Sequence, residues 1–344
     1  MKHLLNTVYV MTQGAWLSLD GECVVVNLNR EEKKKFPIHI LESVLCFGRV
    51  NATAPLIGFC ASRGVAVSFF SENGRYLARV DAPVRGNVLL RRMQYRMADD
   101  TAATSLIAKN ILIAKIANSR NVLLRFMRDN DGVKGKNPSV DAAAKYLALT
   151  AADIGENMPI EVMRGKEGDA ARCYFDVFNH LILSQKDSFR FIERSRRPPK
   201  DNMNAILSFV YSILAHDVAS ALEGVGLDPA VGYLHKDRPG RPSLALDMME
   251  EFRPWLADRL ALSLVNLRQI KPEGFTRTES GAVSMNDETR KTILGAWQAR
   301  KREELTHPFI GEKMPIGLLG HVQAKLLARY IRGDIAEYPP FVWK

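Results

Sequence analysis

The sequence predicts an α+β protein, with a small β-rich N-terminal domain over residues 1–84 and a larger all-α C-terminal domain over residues 85–344. Three observations predict it. Apolar residues alternate with period two along the first segment, between glycine-containing turns. From Asn87 onward they recur at helical spacing. The change falls at Pro83-Val84-Arg85-Gly86, a stretch rich in helix and strand breakers. At 344 residues the chain has room for two domains. Its 47% hydrophobic and 25% charged content places it with folded rather than disordered chains.

Taken in order, Ala15, Leu17 and Leu19 alternate up to Asp20-Gly21, and Val24, Val26 and Leu28 alternate after it, which predicts a hairpin. Arg30 to Lys35 is a polar segment, and Ile38 to Val50 holds one or two further strands. Ala54 to Arg63 reads as a short helix stopped by Gly64. Val65 to Phe70, a turn at Asn73-Gly74 and Arg75 to Val80 predict a second hairpin. Beyond the junction, helical spacing runs through Leu123, Leu124 and Phe126. An exposed basic face is expected there, carrying Arg91, Arg92, Arg96, Lys109, Lys115, Arg120, Arg125 and Arg128. Asp129-Asn130-Asp131-Gly132 is expected to break the helices, as are the proline-rich stretches Arg197-Pro198-Pro199, Asp237 to Pro242 and Lys271-Pro272.

The net charge of +10 favours a polyanionic partner such as nucleic acid or an anionic surface. The four cysteines form no Cys-x-x-Cys pair, so buried free thiols are expected rather than a zinc knuckle. The N-terminus lacks an apolar signal core, and no run is read as reaching the ~20 apolar residues of a membrane span, so a cytoplasmic protein without a membrane partner is expected.

Chemistry concentrates in four residues: Glu167, His235, Asp247 and Glu250. Asp247 and Glu250 are three apart, which puts both carboxylates on one helix face. Ser243 is the candidate N-cap, and acids in the first turns also simply favour a helix. His235 precedes the Asp237–Pro242 loop that leads into this helix, so a tight loop brings it near the acids; a histidine in such a place is also compatible with a structural role. Glu167 lies in a segment that starts a long helix running toward Ile182, between Gly165 and Gly168, whose small size suits either a close phosphate or helix packing. Should they converge, one imidazole and two or three carboxylates select Mg2+ or Mn2+ and polarise a phosphodiester. Neutral imidazole is needed for ligation, so activity is expected to fall as pH drops through the histidine range. Arg194, Arg196, Arg197 and Lys200 cluster around two prolines, a rigid loop suited to phosphate, and Arg241 and Arg253 flank the acidic helix as further DNA-binding candidates; Arg253 is equally placed to pair with Glu250.

Three blocks carry a resemblance. They are Arg164-Gly165-Lys166-Glu167-Gly168 with Ala170-Ala171 and Tyr174-Phe175, then Gly226-Leu227-Asp228-Pro229 to His235, and Ser243 to Pro254. Together they resemble the CRISPR-associated adaptation endonuclease family, the integrases that insert new spacers into CRISPR arrays. Asn204 to Leu214 matches a further family segment, and the opening segment and length look most like the type I-C form. The resemblance implies metal ligation by Glu167, His235 and Glu250, with Glu250 where many members have Asp, and Asp247 at a second acidic position that assists. It implies a homodimer through the β-rich domains, and two such dimers flanking a dimer of the small second CRISPR adaptation protein. A CRISPR-associated exonuclease is a further expected partner. The implied reaction is metal-dependent transesterification: a prespacer 3′-hydroxyl attacks a phosphodiester at the leader–repeat boundary, then one at the far repeat end. Water as nucleophile would give cleavage of double-stranded and branched DNA. The basic helical face and the Arg194–Lys200 loop would hold DNA largely without reading sequence. Two other readings share these residues: a structure-specific repair nuclease acting on branched DNA, and a non-catalytic DNA-binding scaffold.

Overall fold

Period-two patterning in the first segment becomes two four-stranded sheets. The computed structural model describes residues 7–343 apart from 30, 42, 73, 75, 81–86, 135–136 and 156–157. The expected turn at Asn73 and the Pro83–Gly86 junction therefore lie outside the described residues. The strands are β1 (Thr7–Val10), β2 (Trp16–Asp20), β3 (Cys23–Leu28), β4 (Glu31–Pro37), β5 (Ser43–Phe47) and β6 (Asn51–Ala52). Helix α1 (Ala54–Arg63) follows, then β7 (Ala66–Phe70) and β8 (Tyr76–Val80). One sheet has the order β1-β5-β7-β8 and the other β4-β3-β2-β6. The β2–β3 hairpin forms as read, closing with Asp20 opposite Cys23, and β7 pairs antiparallel with β8.

The polar segment is largely β4, paired antiparallel with β3. It is an edge strand, where charged side chains facing water are normal, and its Phe36 packs on the core. That core is aliphatic: Val24, Val44, Leu17 and Leu56 are fully buried. Thr53 caps α1 through its side chain, and Gly64, at φ 72, ends the helix in the left-handed conformation that glycine adopts without strain. All four cysteines are free thiols, and burial pushes Cys46 up to about 12, which leaves it inert.

Helices dominate the remainder: α2 (Val88–Asp99), α3 (Thr101–Lys134), α4 (Pro138–Ala152), α5 (Ile160–Asp176), α6 (Asn202–Gly224), α7 (Ser243–Met249), α8 (Arg259–Asn266), α9 (Asp287–Arg302) and α10 (Leu319–Ile331). A π-helical turn, Arg253–Asp258, joins α7 to α8. Pro254 there has no N–H to donate, so the regular ladder is interrupted between the two helices. Two units result. The first comprises Met1–Gly86, Met285–Glu304 and Pro315–Leu318, and the second Asn87–Ser284, Leu305–Met314 and Leu319–Lys344.

Helix α3 runs through Asp129-Asn130-Asp131-Gly132 rather than stopping there. Asn130 returns its side-chain amide to the Phe126 carbonyl (2.8 Å), and Arg125 pairs with Asp129 one turn on, so these polar residues support the helix. Lys115 is not on its exposed face: only 8% of it is accessible, and it shares the buried stripe with Asn118 and Ser119. Helix α6 is, by length and composition, long and apolar enough to cross a membrane, contrary to the expectation that no run is; most of that stretch is buried in the core of its unit.

The C-terminal segment packs within the second unit, of which it is part. Phe341 N–H donates to Glu251 (2.8 Å), and Trp343 N–H donates to Asn118 (2.7 Å). The Asn118 amide in turn donates to the Phe341 carbonyl (2.9 Å). Arg259 and Arg125 lie over the Trp343 ring, 4.5 and 5.4 Å from its centroid. Glu251 is fully buried beneath this segment and also accepts from Tyr338 and Gln323.

Phe341→Ala should lower unfolding free energy by about 3 kcal/mol, read from urea denaturation, because it opens a cavity beside Trp255 and Phe252. Burial pushes Glu251 up to about 7 despite its three donors. The folded state therefore holds a proton that the unfolded chain has already lost, and stability falls as pH rises from the ordinary carboxylate range to about 7. Glu251→Gln should flatten that decline in a melting-temperature profile, leaving the part due to buried Asp258, which is raised in the same direction.

Candidate active site

All four chemistry-bearing residues belong to the second unit. Helix α5 carries Glu167 at mid-length rather than near its start, one turn after Arg164. The Arg164 Nε donates to the Leu234 carbonyl (2.8 Å), which ties the helix to the segment bearing His235. An added Cβ at Gly165 or Gly168 would meet nothing within 4 Å, so neither glycine serves helix packing.

Asp247 organises the other side. Its fully buried carboxylate accepts four hydrogen bonds: Tyr233 N–H (2.6 Å) and Leu234 N–H (2.9 Å) on Oδ2, and His235 N–H (2.9 Å) and His235 Nδ1 (2.6 Å) on Oδ1. An ionised carboxylate only accepts, so Nδ1 carries the proton and Nε2 is left as the basic nitrogen. The loop can lie this close because residue 232 is glycine. A Cβ there would sit 2.8 Å from the Ser243 Cβ and 2.9 Å from both the Ser243 carbonyl carbon and the Asp247 Oδ2. Ser243 is the first residue of α7 and not its cap; its hydroxyl donates to the Lys236 carbonyl (3.2 Å). Glu250 closes the C-terminal end of α7. Helix-dipole stabilisation near an N-terminus therefore does not explain either acid.

Glu250 is 2% accessible and is surrounded by cations. Arg253 Nη1 donates to both of its oxygens (2.8 and 3.0 Å). Lys115 Nζ lies 2.8 Å from Glu250 Oε2 and also pairs with Glu167 Oε1. Burial works against ionisation of Glu250, but Arg253, then Lys115 and His235, hold its carboxyl down at about 2. The Arg253 guanidinium lies over the Tyr211 ring at 4.4 Å, and the Tyr211 hydroxyl donates to buried Asp258.

Glu167, His235 and Glu250 line one cavity of about 250 Å³, together with Arg164, Arg238 and Arg241. Among the described residues, no three His, Cys, Asp or Glu side chains are drawn into a metal-holding cluster. The ammonium of Lys115 stands between the two carboxylates instead. The donor set nevertheless fits a divalent cation. Two carboxylates and an imidazole face a shared space, and the imidazole is steered by a carboxylate behind it, as ligating histidines are.

The basic candidates separate into two groups. Arg194 points inward, donating to Asn204 (2.7 Å), Ser208 (3.2 Å) and the Ser195 carbonyl, with its guanidinium over Tyr211. Arg196, Arg197 and Lys200 are exposed. Burial lowers the pKa of Arg241, and Arg238, Arg197 and Arg164 lower it further, which marks a like-charged group that an anion would relieve. Sequence reasoning missed Lys115 and Gly232. The signal for Lys115 was a single lysine inside Ile111-Leu112-Ile113-Ala114-Lys115-Ile116-Ala117. Nothing local marked Gly232.

The two-unit α+β layout, with a carboxylate–imidazole cavity bordered by arginines, suits the class of nucleases and integrases that act on phosphodiesters. The family model of CRISPR associated protein Cas1 matches residues 8–299. A CRISPR-associated endonuclease Cas1 of Chlorobaculum tepidum is 53% identical over 348 residues, covering 100% of both chains. One from Rhodospirillum rubrum is 49% identical, again over 100% of both. A Cas4 exonuclease/Cas1 endonuclease fusion of Geobacter sulfurreducens is 34% identical, over 97% of this chain and 60% of that one. The chain belongs to the Cas1 family of CRISPR-associated endonucleases. The fold agrees with a casposase bound to integration product (TM-score 0.84, 21% identity, 98% and 94% of the chains). It also agrees with a chain of a Cas6-RT-Cas1–Cas2 complex (0.83, 23%, 99% of this chain and 36% of that one).

Gly232→Ala should destabilise the protein by about 1–3 kcal/mol and displace His235, measured by thermal melting and by loss of DNA cleavage. Asp247→Asn should lower activity by about 10–100-fold while DNA binding is retained, because it frees the imidazole from its tautomer and orientation.

Proposed function

We propose that this protein is the integrase and endonuclease of CRISPR adaptation, which joins the 3′-hydroxyl of duplex DNA to a phosphodiester at the end of a repeat. The observation that carries this reading is the convergence of Glu167, His235 and Glu250 on one arginine-ringed cavity. It is supported by full-length similarity to proteins named as Cas1 endonucleases. Glu167, Glu250 and the Nε2 of His235 would hold Mg2+ or Mn2+, which supplies Lewis-acid charge beside the reacting phosphate when bound. Arg241, Arg238 and Arg164 orient that phosphate through its non-bridging oxygens. The 3′-oxygen forms a bond to phosphorus as the neighbouring deoxyribose oxygen leaves. With water in its place the product is a cut, on double-stranded or branched DNA.

Asp247 acts behind the site by holding the His235 tautomer. Arg253 holds the charge of Glu250, and Arg194 supports the loop from which Arg196, Arg197 and Lys200 reach the DNA backbone. The β-rich residues 1–84 form the homodimer contact and residues 85–344 carry the chemistry. The small second adaptation protein, Cas2, is the assembly partner, a reading supported by the Cas1–Cas2 complex that shares this fold. The Cas4/Cas1 fusion supports an exonuclease acting on the same DNA ends. The work takes place on DNA in the cytoplasm.

Strand transfer tests this directly. Labelled duplex with free 3′-hydroxyls should join a supercoiled plasmid carrying leader and repeat when the small partner and Mg2+ or Mn2+ are present. Glu167→Ala and His235→Ala should each abolish joining and keep DNA binding. Branched-DNA cleavage with no joining would instead establish a repair nuclease, and unchanged joining by both variants would overturn the site. Arg196→Ala with Arg197→Ala should flatten the log–log salt dependence of DNA affinity by about 0.9 for each phosphate that the two arginines neutralise.

A further inference from the structure

We propose that Lys115 is a built-in counter-cation of the catalytic carboxylates, which a divalent ion must displace before the site can act. The inference rests on the reading of Glu167, Glu250 and His235 as metal-holding residues. Its basis is geometric. The Lys115 ammonium pairs with Glu167 and with Glu250 at once, bridging α5 and the end of α7 from α3. With Arg253 also on Glu250, the four side chains Lys115, Arg253, Glu167 and Glu250 sum to zero charge.

A divalent ion added to this group would lie against the ammonium and share its oxygens. Two cations in such a buried place repel strongly, so one has to leave. Arg253 is poorly placed to go, with both its hydrogen bonds on Glu250 and its guanidinium over Tyr211. Lys115 is a flexible chain ending in a single charge, so it can withdraw more readily than the doubly bonded guanidinium. The role follows from the fold as well. Without a cation, Glu167 and buried Glu250 would repel each other across the cavity. Lys115 keeps that space assembled while lowering metal affinity, so half-filling the site takes more metal than it would without the lysine.

The test is Mn2+ binding to the purified full-length protein, followed by electron paramagnetic resonance of free Mn2+, with the pH held constant. Lys115→Met removes the charge and keeps the bulk; Lys115→Gln is the second variant and puts a neutral hydrogen-bond donor in its place. Both should bind Mn2+ at least tenfold tighter than the wild type, and Lys115→Arg should stay near wild type. Melting temperature without metal should fall in the Met and Gln variants and recover on adding Mn2+ by more than the wild type gains. Unchanged or weaker Mn2+ binding in folded Met and Gln variants would overturn the inference, provided wild-type binding still requires Glu250. Wild-type binding that is absent, or indifferent to Glu250→Gln, would overturn the metal reading and this inference with it.

Discussion

A carboxylate at Glu250, almost wholly removed from water, is the constraint around which the second unit is arranged. Burying such a charge without partners is prohibitive, and here the partners come from separate elements: Lys115 from α3 and Arg253 from the π-helical turn. Lys115 also engages Glu167 on α5. Three helices and the turn therefore meet at one point for electrostatic reasons, and loss of any one partner leaves a charge uncompensated in the interior. The same point borders the cavity that His235 enters from the opposite side, so the packing of the unit and the geometry of its site are one problem.

His235 reaches that cavity by a different device. Backbone amides of Tyr233, Leu234 and His235 converge on Asp247, so the carboxylate folds the loop as a helix cap would, and it sets the imidazole tautomer in the same act. Gly232 makes the approach sterically possible. The basic loop is supported in parallel. Arg194 and Arg253 both lie over Tyr211, whose hydroxyl holds Asp258, so a single aromatic ring joins the loop of exposed cations to the partner of Glu250. Beneath them, Glu251 and Asn118 fasten the C-terminal segment, each one position or one turn from a site residue, Glu250 and Lys115 respectively.

Much of this was legible in the sequence. Alternation and turn residues identify the β2–β3 hairpin, and Gly64 marks the end of α1, because these depend on local conformational preference. The three blocks around Glu167, His235 and Glu250 stand out because catalytic side chains need particular residue types at short spacing. Where local rules misled, a long-range contact had won. The charged stretch Glu31–Pro37 is a strand because β3 pairs with it. Three-residue spacing placed Asp247 on one face with Glu250, and its turn inward to three backbone amides came only with the loop folded against it.

What the sequence determined by itself was the order of elements, the basic character of the chain and the identity of the groups available for chemistry. Only the tertiary structure decided which cation lies between the two glutamates, which arginines support the fold and which face solvent, and where the C-terminal segment rests. Most of these contacts join residues tens to hundreds of positions apart. Such contacts are selected by the cost of leaving a buried charge or amide unpaired, and that cost exists only after the chain has closed around it.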